Sequence, residues 1–295
     1  MLRSLLFAPA TRPDLVAKLP RSRPDAVIID LEDAVPAAHK VAARVEAVAG
    51  AAALVGLPNG PRVYVRVNAV DTPWFAEDVA TALAPGVAGI VVPKVESVAG
   101  LQTVRDALLA RGGPPLSIIA GFESGRGVLE VEPVLAGAAE GPVVEACYFG
   151  AEDYAADIGA RRTVAGDEVL YARSRVALAS AVHSVLALDQ VVVAIGDDER
   201  FLADAERGRD LGYRGKTCIH PGQVPLANRV FSPSEEELSR SVRMLATWQS
   251  RTQDGHGALL FEGRMVDEPA IREARALLAT AEAIREGGRG RDPAA

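Results

Sequence analysis

Short apolar runs recur along the chain, separated by longer amphipathic or alanine-rich stretches. Eight runs stand out: Ser4–Ala8, Ala26–Leu31, Val63–Val67, Gly89–Pro93, Leu116–Ala120, Ala146–Gly150, Gln190–Ile195 and Gly215–Ile219. Most are continuously apolar, as in VIID, IVVP, CYFG and VVVAI. Strands read that way when both faces are covered by helices, as in a parallel sheet. The stretches between them predict helices, among them His39–Gly50, Ser97–Arg111, Val128–Ala139, Val169–Leu188 and Asp198–Leu211. The last stops before Gly212, a residue suited to the turn past a helix end. Eight strands, each followed by a helical or looping segment, predict an α/β fold of the closed (β/α)8 TIM barrel type. An open doubly wound sheet is the alternative, but no G-x-G-x-x-G loop follows the first run.

The pattern continues past the eighth run. Ser234–Trp248 predicts a helix with Ser234 as N-cap and Glu237 closing a capping box. Then come the turn-rich Ser250–Gly257, the apolar piece Ala258–Phe261, the turn Glu262-Gly263, a last helix Glu268–Arg285 and a frayed tail. The expected organisation is a barrel over residues 1–230 and a C-terminal helical lid extension over residues 231–295.

Composition narrows the function classes. Over 295 residues the chain is 49% hydrophobic and 24% charged, which argues for a folded globule. Its net charge is −7 and no Lys/Arg run forms a basic patch, so no nucleic-acid partner is expected. Cys147 and Cys218 both lie in apolar runs and read as buried, reduced thiols. The opening MLRSLLFAPATRP is too short in its apolar part for a signal segment, and no run of about 18 apolar residues exists. The expectation is a soluble cytoplasmic protein without a membrane partner.

In a barrel the chemistry gathers at the C-terminal ends of the strands. The polar residues there are Asp30, Glu32 and Asp33 after run two, Arg66 and Asn68 after run three, and Lys94 after run four. Glu123 follows run five, Glu152 and Asp153 run six, and His220 run eight. Glu123 and Asp153 follow adjacent runs, and two carboxylates suit Mg2+, which keeps several waters. Zinc finds little support, because His39, His183, His220 and His256 are widely spaced and no H-E-x-x-H occurs. His183 reads as structural, His256 as exposed, and His220, before a proline, as a turn residue first. Arg66 offers a planar fork for a carboxylate or an enolate oxygen; a salt bridge to Asp30, Glu32 or Asp33 is the structural reading, and the two are compatible. There is no G-x-S-x-G, and GFESGRG lacks the Walker lysine, so it reads as a tight loop carrying Glu123.

These segments together resemble a known family. RSLLFAPATRPDL, DAVIIDLEDAVPAAHKVAAR, VYVRVNAVDTPWFAEDV, IVVPKVES, GFESGRGV, CYFGAEDYAADIG and GYRGKTCIHPGQV are similar, in order over residues 1–285, to the citrate lyase β-subunit-like group of the HpcH/HpaI aldolases. Phe122 and Ser124 are mild departures from its IETxxGV segment. The resemblance implies a Mg2+-dependent (β/α)8 carbon–carbon lyase acting on 3-hydroxyacyl-CoA thioesters, giving an acyl-CoA and a small 2-oxo acid. It implies a homotrimer or dimer of trimers, Glu123 and Asp153 as metal carboxylates, and Arg66 as the substrate arginine. GRMVDEP resembles a lid segment of malyl-CoA and citramalyl-CoA lyases, which implies an acid–base role for Asp267 at a neighbouring subunit's site; an N-cap of the last helix is its plain reading. Arg12 and Lys18 are candidates for the CoA phosphates, with solvated charges as the other reading. Three other functions stay open: a citrate lyase β subunit acting on an acyl-carrier thioester, a metal-dependent aldolase on free 2-oxo acids, and a non-catalytic ligand-binding barrel.

Overall fold

The computed structural model describes residues 1–81, 83–112, 115–138, 141–252 and 258–289. Among the described residues, eight parallel strands close a barrel in sequence order. They are β1 (Ser4–Pro9), β2 (Ala26–Asp30), β3 (Arg62–Arg66), β4 (Gly89–Val92), β5 (Ser117–Phe122), β6 (Val144–Phe149), β7 (Leu186–Asp189) and β8 (Gly215–Cys218). The helices are α1 (Pro13–Val16), α2 (Lys40–Val55), α3 (Phe75–Thr81), α4 (Val98–Arg111), α5 (Gly125–Ala136), α6 (Ala151–Asp157), α7 (Asp167–Val182), α8 (Asp198–Asp210) and α9 (Gln223–Val230). The chain forms two compact units, Leu2–Val230 and Phe231–Ala295 with Met1. No helix among the described residues is long and apolar enough to cross a membrane.

Inside the barrel, Leu5, Ala26, Ile28, Tyr64, Val91, Ile119, Ala146, Tyr148 and Leu188 form one apolar core. Strand side chains alternate, so residues two apart share a face. Asp30 therefore continues the inward row of Ala26 and Ile28, and Arg66 continues that of Tyr64. Both reach the same mouth because β2 and β3 pair Asp30 with Arg66. At the opposite end, Glu145 accepts hydrogen bonds from Arg62, Tyr64 and Ser117. This closes the floor with satisfied polar groups.

The seventh strand is not where the apolar pattern places it. VVVAI reads as a strand, but the stave is the preceding Leu186–Asp189, and Gln190–Ile195 follows it as a loop with Val193 and Ile195 exposed. The helix before it also ends early, at Val182, and Ser184 turns the chain at φ 56°. Burial of polar groups is the reason. Asp189 lies fully buried at the strand end, held by two hydrogen bonds from Arg173 and one from Lys216. Asp204 accepts from Arg173 and Lys216 as well. This quartet of two cations and two carboxylates pins α7 and α8 onto β7 and β8, and a β-carbon at Gly208 would lie 2.4 Å from Asp189 Oδ2.

The second unit contains α10 (Glu235–Thr252), an antiparallel hairpin of β9 (Leu259–Phe261) and β10 (Arg264–Val266), and α11 (Glu268–Arg289). The capping box forms: Glu237 N–H donates to the Ser234 hydroxyl at 3.2 Å, and Ser234 N–H donates to the Glu237 carboxylate at 2.7 Å. Glu262 and Gly263 turn the hairpin with φ of 47° and 76°, the positive pair a two-residue turn demands. Met244, Trp248, Phe261, Val266, Ile271 and Ala274 pack into a core of their own. The expected frayed tail after Arg285 begins as helix instead, since α11 continues through Arg289; His256 and residues 290–295 lie outside the described residues.

Removing Asp189, the buried centre of this network, leaves two buried cations sharing the one partly exposed carboxylate of Asp204. Asp189→Ala is expected to cost about 3–5 kcal/mol, read as a lower urea midpoint; an unchanged midpoint would show that the quartet does not hold the barrel.

Candidate active site

Five of the strand-end residues meet at one opening. Arg66 donates to both oxygens of Asp30, from Nε and Nη2, at 2.7 Å each, in the bidentate geometry of a strong charge-assisted pair. Its Nη1 lies 3.1 Å from Glu32 Oε2, and its guanidinium sits 5.2 Å from the centre of the Phe7 ring. Burial works against the Arg66 charge, but Asp30, Tyr148 and Glu32 outweigh it and hold the arginine well above its ordinary value. The salt bridge and the mouth-facing position are thus both real.

The loop after β2 is built to bring Glu32 to this place. Lys40 at the start of α2 donates to the carbonyls of Leu31 (3.0 Å) and Glu32 (2.9 Å) and to Asn68 (2.6 Å). Asn68 in turn donates to Leu31 and to Asp78, which Arg44 also holds. On the far side of Glu32, Lys94 donates to Oε1 at 2.6 Å, and its Nζ lies 3.5 Å from Asp33 and 3.9 Å from Asp153. Lys94 has a left-handed backbone (φ 52°), an uncommon state for a residue with a side chain.

Glu123 follows β5 directly and is buried. Gly150 makes room for it and Gly121 for the neighbouring Tyr148: a β-carbon at Gly150 would lie 2.5 Å from Glu123 Cγ, and one at Gly121 would lie 2.5 Å from the Tyr148 ring. Tyr148 donates a short hydrogen bond to Oε1. Oε2 has none. Among the described residues, the buried side-chain oxygens without a hydrogen-bond partner are this atom and Glu32 Oε2. Burial pushes the Glu123 carboxyl up to about 7, with Glu32 and Asp153 adding to the shift and Arg66 and Tyr148 opposing it. Burial raises Asp153 too, against Lys94. Asp153 is not a strand residue: it lies in the first turn of α6, which Gly150 starts.

Asp30, Arg66, Glu123, Tyr148 and Asp153 line one cleft of about 330 Å³, whose remaining wall is largely apolar. A neighbouring cleft of about 490 Å³ is lined by Arg162, Arg200 and Arg207 among others. Arg162 there is already tied to Glu152 and Glu168, and the strand-end chemistry lies in the smaller cleft. An orphaned buried carboxylate oxygen sharing a cleft with a second carboxylate fits a hard divalent cation with oxygen ligands.

The model of the HpcH/HpaI aldolase/citrate lyase family matches residues 3–221. The chain belongs to that family. It is 51% identical to a citrate lyase subunit beta-like protein of Deinococcus radiodurans, over 94% of this chain and 96% of the other. It is 34% identical to the L-malyl-CoA/beta-methylmalyl-CoA lyase of Cereibacter sphaeroides, over 96% and 95%. Among solved structures, it is similar to the CitE protein of Mycobacterium tuberculosis in complex with magnesium, acetoacetate and coenzyme A, with TM-score 0.77, 33% identity, and 95% and 97% of the two chains covered. The chain is a carbon–carbon lyase of the (β/α)8 type.

The other candidate residues lie elsewhere. Arg12 and Lys18 flank α1 and both face Asp14, at 2.8 and 3.8 Å, with exposed side chains outside the cleft. Asp267 lies in the second unit before α11, where its carbonyl accepts from Ile271 N–H at 3.2 Å. His220 accepts from Gly222 N–H in a turn, and His183 ends α7 with Nε2 3.2 Å from Glu132. Tyr148 is the site residue that reading the sequence passes over. The alternation of Ala146, Tyr148 and Gly150 is its one signal, and the register of β6 decides it.

Glu123 makes the stability of the metal-free protein depend on pH. Its folded value lies above its ordinary 4.5, so between about 4.5 and 7 the folded state binds more protons than the unfolded state. Stability from this group is therefore full below about 4.5, is lost as pH rises through about 7, and falls by at most about 1.4 kcal/mol per pH unit. Glu123→Gln removes that slope. With chelator present, the variant should exceed the parent by about 2–3 kcal/mol near pH 8, and the gap should close towards pH 5. A gap independent of pH in urea titrations would refute the shifted carboxyl.

Proposed function

We propose that the chain is a Mg2+-dependent lyase that cleaves, or in reverse forms, a 3-hydroxyacyl-CoA thioester of the malyl, citramalyl or citryl type. The observation that carries this reading is the orphaned buried oxygen of Glu123, in a cleft that it shares with Asp153 and the Asp30-braced Arg66. Glu123 and Asp153 would hold the cation. When bound, it polarises the oxygen on C3 and neutralises the acid end of the substrate. The relatives that act on malyl-CoA, and the structure with magnesium and coenzyme A, support the class.

The chain's own residues account for the rest. The C2–C3 bond breaks, its electron pair moves to the thioester as an enolate, and C3 becomes the oxo carbon. Arg66 keeps free N–H groups beyond those given to Asp30, and these offset the charge as it develops. Asp30 holds the fork in place beforehand, so no reorganisation is needed. The apolar wall with Phe7 and Phe149 excludes water that would quench the enolate. The proton lost from the C3 hydroxyl and the one gained at C2 balance, and we assign delivery at C2 to Asp267. Arg12 and Lys18 stay candidates for the CoA phosphates, reached by exchanging Asp14 for an anionic ligand.

Asp267 would act from a lid over a neighbouring subunit in a trimer or dimer of trimers. The hairpin beside it supports a docking role: Leu260 and Met265 pair across its strands and are each 75% exposed. A neighbouring subunit would cover such an open apolar pair.

Two measurements test the reading. Titration calorimetry should show Mg2+ affinity falling by at least about 10-fold in Glu123→Gln and in Asp153→Asn, with cleavage of malyl-, citramalyl- and citryl-CoA lost; unchanged binding in both variants places the metal elsewhere. Mixing inactive Glu123→Gln chains with inactive Asp267→Asn chains should restore activity, because some sites then combine an intact metal centre with an intact lid. No rescue after verified subunit exchange confines Asp267 to its own chain or to capping α11.

A further inference from the structure

Tyr148 lines the cleft and is buried, yet the chemistry proposed above gives it no part; its phenol O–H is spent on Glu123 Oε1. Two neighbouring strands bring it there. Side chains two apart share a face, so Ile119, Gly121 and Glu123 make one inward row, and Ala146, Tyr148 and Gly150 make the next. The strands pair Gly121 with Tyr148 and Phe122 with Phe149, which sets Glu123 beside Gly150. Each large side chain therefore faces a glycine. A β-carbon at Gly121 would lie 2.5 Å from the Tyr148 hydroxyl and 2.5 Å from the ring carbon that carries it. One at Gly150 would lie 2.5 Å from Glu123 Cγ and 3.0 Å from its Cβ and Cδ. Without those carbons the phenol reaches past Gly121 to the carboxylate two positions further along. The ring packs in the barrel core with Ile119 and Ala146, so the direction of the hydroxyl is held from below.

The consequence falls on the carboxylate. Oε1 accepts from Tyr148, whereas Oε2 accepts from no described residue, so the two oxygens are unequal. An oxygen that already accepts from a phenol offers a cation less negative charge than a bare one. Such a carboxylate favours binding through one oxygen over chelation through both. Cations differ in how much this matters. Mg2+ is small, demands near-ideal octahedral geometry and keeps several waters, so one oxygen from each of two carboxylates suits it. Ca2+ takes more oxygens in a looser geometry and gains from a carboxylate that can chelate.

We propose that Tyr148 is a positioning residue for the metal centre: by occupying Oε1 it leaves Glu123 a single free oxygen, and so sets a preference for Mg2+ over Ca2+. This rests on the reading that Glu123 and Asp153 hold the cation. Tyr148 acts only through Glu123.

Full-length protein, freed of metal with chelator and then dialysed, is titrated calorimetrically with Mg2+ and separately with Ca2+. Both titrations use one pH, so proton competition at the carboxylate cancels in the ratio of the two affinities. Tyr148→Phe keeps the ring in the core and removes only the donor. Its Mg2+-to-Ca2+ affinity ratio should fall at least about 5-fold, chiefly through tighter Ca2+. Gly121→Ala reaches the same bond from the other side, because its methyl takes the place of the phenol's end, and it should move the ratio in the same direction. Near-UV circular dichroism verifies that the variants keep the packed core, and Tyr148→Phe alone decides if the glycine variant does not fold. An unchanged ratio in Tyr148→Phe, or both affinities falling by the same factor, makes the tyrosine a packing residue and overturns the inference. Glu123→Gln separates that result from failure of the metal reading. If Mg2+ binding survives in Glu123→Gln, the cation is held elsewhere and both fall; if it is lost while the Tyr148→Phe ratio stays unchanged, only the inference falls.

Discussion

The mouth of the barrel depends on an unequal balance of charge. Three buried carboxylates, Asp30, Glu32 and Glu123, and the more exposed Asp33 and Asp153 gather around two cations, Arg66 and Lys94, among the described residues. In low dielectric such an excess is costly, and a buried carboxyl answers by holding its proton. Glu123 does this, with its titration moved up to about 7. A divalent cation removes the same excess while leaving the carboxyl ionised. On the reading that Glu123 holds a metal, proton and cation would compete for a single carboxylate whose second oxygen has no other partner among the described residues.

A second buried cluster in the same barrel shows the contrast. Arg173 and Lys216 face Asp189 and Asp204, and all four charges cancel. Donors and acceptors there are matched, so the cluster invites no ligand and serves to fasten two helices to the wall. The difference between the two is arithmetic rather than composition, since both are built from arginine, lysine and acidic residues. Balance gives a rivet, and imbalance gives a site.

Rigidity around the imbalance comes from outside the cleft. Lys40 spans two backbone carbonyls of the loop that carries Glu32, and Asn68 and Asp78 extend this bracing to α3. Ser124 caps α5 by accepting from Gly127 N–H and donates to Glu96, which fixes the turn after Glu123. Asp30 keeps Arg66 in one orientation. A position prepared in this way suits the role proposed for the arginine, meeting a developing negative charge without moving first.

Much of this was legible in the chain itself. The apolar runs placed seven of the eight staves, because a strand covered on both faces must be apolar throughout. Glu123, Asp153 and Arg66 were legible as strand-end polar residues, since parallel strands deliver their C-terminal ends to one opening. Ser234 and Glu237 declared a helix start through purely local bonding. What the chain could not declare depends on contacts far apart in sequence. The seventh stave is LALD and not VVVAI, because the Asp189 carboxylate finds buried cations on α7 and β8. Tyr148 faces the interior because β6 shifts register against β5 between Ile118 and Ile119, so that Gly121 pairs with Tyr148; a strand without that shift would present Cys147, which instead meets Ser180 on α7. The orphaned oxygen of Glu123 is likewise a property of the assembled mouth. Local pattern decides which residues are strand or helix, but which polar groups are left without partners is settled only when distant segments close around them.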